Sequence, residues 1–167
     1  KTIMAITKDK KRAIVAKLTD AFKEASSIAF VGFSKLTVKD ASRLRTELSQ
    51  KGVSYYVAKK TLLRLALKQQ GYEGQAPELP GEIAVAWTKG TEVTAPARGV
   101  YEFGTKLKGA LSLLGGVFGG AFADARKMME IATIPPLPVL RDMFVNVINS
   151  PIQRFTIALN EVVKTKN

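Results

Sequence analysis

Ser27-Ile28-Ala29-Phe30-Val31-Gly32-Phe33 carries no charge and is closed on both sides by small polar residues, Ser26 and Ser34. A run this short and this apolar reads as a buried strand. Downstream of it, Thr37 sits three residues before Asp40, a relative of the capping box. Val38, Ala41, Leu44 and Leu48 then make the apolar stripe of a helix that Gly52 ends. Residues 53–58 (Val-Ser-Tyr-Tyr-Val-Ala) form a second strand by β-branched and aromatic content. Upstream, Ile14, Leu18, Ala21, Phe22 and Ala25 recur at helical spacing, an amphipathic helix over residues 8–25.

The alternation continues. Residues 61–70 read as a helix stopped by Gly71, and residues 71–81, with Pro77 and Pro80, as a turn-rich connection. A strand over 83–87 and a helix over 91–107, with Pro96 near its first turn, come next. Residues 111–122 read as two strand-like pieces with glycines between them, a hairpin with a bulged or irregular turn. A short helix over 123–132 meets Pro135, Pro136 and Pro138, which stop the pattern. Leu140, Met143, Phe144, Val147 and Ile148 then make one more helical stripe. Ser150-Pro151 marks a break, since proline favours the first turn of a new helix. The pattern predicts a globular domain over 1–134 and a C-terminal helical region over 135–167, its last helix at about 150–167. Taken alone, helices alternating with strands lean toward a parallel α/β sheet.

The chain has 167 residues, 46% of them hydrophobic, with neither His nor Cys. Zinc fingers, disulfides, cysteine nucleophiles and imidazole catalysis are therefore excluded. The acids are scattered without a carboxylate pair. Gly115-Gly116-Val117-Phe118-Gly119-Gly120 lacks the Lys-Ser/Thr ending of a phosphate loop. The expectation is no enzyme, no metal and no cofactor. The longest apolar stretch, 110–123, is glycine-broken and too short for a bilayer, and the N-terminus shows no signal pattern, so a cytoplasmic, membrane-free protein is expected. Met4-Ala5 reads as a natural start, which makes Lys1 to Ile3 an extension of unread role.

Charge is the informative quantity. The formal net charge is +12, and residues 1–70 hold 16 Lys and Arg against 5 acids. Such a surplus is self-repelling unless a polyanion opposes it, although surface charge kept for solubility competes as an explanation. Lys8, Lys10, Lys11 and Arg12 open the first helix, where the helix dipole disfavours cations by ~0.3–1 kcal/mol each. Lys59, Lys60 and Arg64 open another at a strand-to-helix junction, and Lys35 and Lys39 flank a third, followed by Arg43 and Arg45. Three basic helix starts in one half of a chain point to phosphates meeting free helix N–H groups and cations together. Tyr55 and Tyr56 are adjacent, so one is expected to face the core and the other not. With no aromatic ladder, structured RNA is favoured over a stacked single strand.

The last segment has a different chemistry. Ile152, Phe155, Leu159 and Val162 follow at steps of three, four and three, with Ala158 and Val163 beside them. A helix this short must bury its seam, either on its own domain or on a partner helix. A free nucleic-acid-binding regulator that dimerises through this seam is the competing reading.

Gly32-Phe33-Ser34-Lys35-Leu36-Thr37-Val38 leading to Leu44-Arg45 and Gly52-Val53, then Val57-Ala58-Lys59-Lys60-Thr61-Leu62-Leu63-Arg64-Leu65-Ala66, resembles the bacterial ribosomal protein L-ten family, the base of the large-subunit stalk. The likeness runs from Met4 to the C-terminus through Pro80-Gly81, Gly115-Gly116 and Ile134-Pro135; Lys60 stands where the family has Asn, and Glu82 where it has a small or hydroxyl residue. The resemblance implies an α+β ferredoxin-like plait, a mixed sheet with flanking helices, plus a projecting amphipathic C-terminal helix. It also implies a non-catalytic role: a globular part on large-subunit rRNA beside a neighbouring stalk-base protein, and a last helix holding dimers of the acidic stalk protein, which help recruit translational GTPases. By helix length, residues 152–167 have room for about two such dimers. Some relatives repress their own mRNA.

Overall fold

The computed structural model describes residues 8–34, 36–74, 77–107 and 109–166. The chain divides into two compact units, Lys1–Ile134 and Pro135–Asn167. In the first, helices α1 (Lys8–Lys23), α2 (Val38–Gln50), α3 (Lys60–Gln70), α4 (Ala95–Lys106) and α5 (Ala125–Thr133) surround five strands. The strands are β1 (Ser27–Phe33), β2 (Val53–Val57), β3 (Glu82–Thr88), β4 (Leu111–Phe118) and β5 (Ala121–Asp124), in the order β2-β3-β1-β4-β5.

Every ladder between these strands is antiparallel. The α+β plait therefore stands, while the parallel sheet that alternation alone suggested, and the mixed pairing, give way to an antiparallel one. The reason is topological. β1 and β2, joined through α2, run in the same direction, as do β3 and β4, joined through α4. Each pair leaves a gap one strand wide, and the other pair fills it: β3 lies between β1 and β2, and β1 between β3 and β4. Two interleaved split β-α-β units make the ferredoxin-like plait. Periodicity reports a helix between two strands but is silent on whether they become neighbours.

Both faces of the sheet are covered, which is why β1 is apolar throughout. Ile28 and Phe30 pack with Val15, Leu18 and Phe22 of α1 and Leu62, Leu63 and Ala66 of α3. Ala29 and Val31 pack on the other side with Leu44 and Leu48 of α2, Val100 and Phe103 of α4, and Met128 of α5. Tyr55 and Tyr56 correct the one-faced expectation: each rests half-buried against a different one of these two cores.

Local signals explain the ends of the elements. Thr37 caps α2, its Oγ1 accepting from the Asp40 N–H at 3.2 Å and donating to Asp40 Oδ2 at 2.6 Å. The hairpin turn is regular rather than bulged: Phe118 pairs Ala121 across Gly119 (φ 60°) and Gly120 (φ 82°), the positive angles a two-residue turn demands. The irregularity lies instead inside β4, where the register with β1 slips between Phe30 and Val31 and leaves Leu114 as the extra residue.

The second unit holds one helix, α6 (Leu137–Lys166), with Pro151 inside it. The expected break at Ser150-Pro151 is thus corrected. An interior proline removes a single donor, here the partner of the Val147 carbonyl, and the turns on both sides remain helical at a local cost of ~3 kcal/mol.

Candidate nucleic-acid and partner-docking surfaces

The basic helix starts come together through strand direction. β1 and β2 both run antiparallel to β3, with Phe33 opposite Glu82 and Val57 opposite Ala84, so both strands finish at one end of the sheet. α2 and α3 start from that end. α1 lies alongside α3: Thr19 Oγ1 donates to Gln69 Oε1 at 3.0 Å, Gln70 Nε2 donates to the Thr19 carbonyl at 2.9 Å, and the Tyr72 hydroxyl donates to the Phe22 carbonyl at 3.1 Å. These partners are 50 or 51 residues apart in the sequence, a constant offset that makes the two helices parallel. The same offset sets Lys10 level with Lys60, Arg12 with Leu62, and Ile14 with Arg64. A groove walled by Lys11 and Arg12 on one side and Leu62 and Leu65 on the other follows that seam.

Lys10, Lys11, Arg12, Lys39, Lys59, Lys60 and Arg64 are exposed, and none is held in an ion pair among the described residues. Lys35 and the side chain of Lys8 lie outside the described residues. At the opposite end of the sheet two cations are engaged, while Lys23 and Lys68 there hold no ion pair among the described residues: Lys89 pairs with Glu24, holding that carboxyl below the usual carboxylate range through a hydrogen bond and its charge, and Lys51 pairs with Glu102. α3 adds to the contrast, for its N-cap is Lys59 without a side-chain cap and its first turn holds no acid. Uncapped N–H groups and unpaired cations share that end.

On α6 the apolar side chains are exposed: Ile152 67%, Phe155 66%, Leu159 51%, Val162 55% and Val163 59%, with Ala158 exposed beside them. Sequence reasoning missed that the upstream half matches, with Met143, Phe144, Val147 and Ile148 all more than half exposed. The signal was present as a stripe, but the presumed break at Pro151 separated it from the downstream seam. Among the described residues no single helix is long and apolar enough to cross a membrane.

An antiparallel plait with basic helix starts at one end, and a second unit whose helix bears an exposed apolar seam, define the class of binding scaffolds. Residues 6–104 match the family model described as Ribosomal protein L10. The large ribosomal subunit protein uL10 of Pelotomaculum thermopropionicum is 36% identical over 156 residues, 93% of this chain and 87% of that protein. The uL10 of Clostridium tetani is 34% identical over 93% of this chain and 90% of its own, and that of Thermotoga neapolitana 32% over 95% and 91%. The chain belongs to the ribosomal protein L10 family, a structural and non-enzymatic component of the large ribosomal subunit, found in the cytoplasm as part of the ribosome.

Proposed function

We propose that the protein is the base of the ribosomal stalk. Its basic residues Lys8, Lys10, Lys11, Arg12, Lys35, Lys39, Lys59, Lys60 and Arg64 bind large-subunit rRNA beside a neighbouring stalk-base protein. α6 seats dimers of the acidic stalk protein on Ile152, Phe155, Ala158, Leu159, Val162 and Val163, and through them supports recruitment of translational GTPases. The observation that carries the reading is the convergence of three basic helix starts on one end of the sheet, where Lys10, Lys11, Arg12, Lys39, Lys59, Lys60 and Arg64 are exposed and hold no ion pair among the described residues. Phosphate contacts take up such free cations and make binding salt-dependent, whereas an apolar seam holds its partner independently of salt.

A pull-down from lysate at moderate and high salt tests the division. An acidic small protein retained at high salt while rRNA is lost supports it. A self-associating protein that stays in the supernatant beside salt-washed ribosomal cores sinks it in favour of the free regulator. Residues 152–166 of α6, the segment that carries the proposed docking seam, make about 22 Å of helix and each docked helical hairpin occupies roughly 10–12 Å, so about two dimers fit on that segment. Native mass spectrometry should count four stalk copies per assembly; six would refute this number.

A further inference from the structure

At the cationic end the sheet itself offers a recess of ≈ 590 Å³, lined by Phe33, Val57, Ala58, Lys59, Lys60 and Glu82 among others. That size suits a small-molecule-sized group. Register explains its chemistry. Phe33 pairs directly with Glu82, and Val57 pairs with Ala84, two residues along the same strand, so Phe33, Glu82 and Val57 project from one face. Phe33 is half-buried, Val57 is 42% exposed, and Glu82 is exposed without an ion pair among the described residues. The start of α3 adds Lys59 and Lys60 at the rim.

A carboxylate at this place is a poor element for phosphate binding, because it repels the anion the lysines attract. It is explained by a ligand that brings donors as well as phosphate. We infer that the recess takes one unpaired guanine of the bound RNA, its ring against Phe33 and Val57, its Watson–Crick edge on Glu82 and its flanking phosphate on Lys59 and Lys60. Guanine fits because N1–H and N2–H present two donors side by side, and an ionised carboxylate presents two acceptors. Other bases offer a single donor on that edge. A paired guanine hides it, so the nucleotide comes from a loop or bulge, where RNA is read by sequence. The inference rests on the proposed rRNA binding and deepens it from phosphate affinity to base selection.

The test uses the full chain with deproteinised large-subunit rRNA, probed by kethoxal, which reacts at guanine N1 and N2. The wild type should protect an unpaired guanine. Glu82→Ala, an exposed site, should lose that protection and about tenfold in affinity with the salt slope unchanged. Lys59→Gln with Lys60→Gln should lower the slope yet keep the protection at saturating protein. Equal protection by wild type and Glu82→Ala, or none by the wild type in a complex that forms, overturns the guanine site and leaves rRNA binding standing. Absence of any complex overturns both.

Discussion

Gly116 shows how tightly single positions are held. A Cβ there would stand 2.3 Å from the Ile28 carbonyl oxygen and 2.6 Å from Met128 Cε, although its backbone angle is ordinary. The glycine exists for the approach of α5 and β1. Gly116→Ala should therefore destabilise the first unit by about 1–3 kcal/mol, measured as a lower urea midpoint; an unchanged midpoint would show that the sheet yields. Tyr55 makes a different prediction. Burial pushes its hydroxyl up from the usual tyrosine value, with Arg45 partly opposing. The unfolded chain therefore ionises first as pH rises, and stability present below about pH 10 declines through the window between the two values. Tyr55→Phe should shrink the fall in Tm between about pH 9 and pH 11. An identical fall in the variant would remove Tyr55 from the cause.

Among elements, α6 is the one whose sequence reading changed most. Proline statistics place Pro151 at a new helix start, yet the chain continues as one helix from Leu137 to Lys166. The lost hydrogen bond remains as a weak point in the ladder. Pro151→Ala restores a donor to the Val147 carbonyl, and amide exchange in the flanking turns should slow by on the order of 100-fold, the equivalent of ~3 kcal/mol. Unchanged exchange would mean that the proline does not limit the helix. β2 teaches the converse. Val53 to Val57 was legible as a strand from composition, but its place at the sheet edge, with β3 rather than β1 beside it, was not. Side-chain identity fixes which residues prefer a pleat, and the choice of neighbour depends on how two split units interlock.

For the molecule as a whole the expectation is two separable activities. Phe155→Asp or Leu159→Asp places a charge on the exposed seam of α6 and should release stalk dimers while rRNA binding stays intact. Lys10→Gln with Lys60→Gln should leave dimers in place and reduce the slope of log K against log salt by ~0.9 for each phosphate that is no longer neutralised. Loss of rRNA binding in the isolated Phe155→Asp protein would contradict the separation. Apart from the continuity of α6 through Pro151, the amino-acid order alone settled the elements, the apolar seam of the last helix and the surplus of cations in the first 70 residues, because periodicity, caps and charge are local properties. It left open the antiparallel interleaving of the strands, the side-by-side run of α1 and α3, and the meeting of the α3 start with Glu82 at one end of the sheet. Those depend on which surfaces meet when two cores are buried on opposite faces of one sheet, and no local pattern encodes that choice.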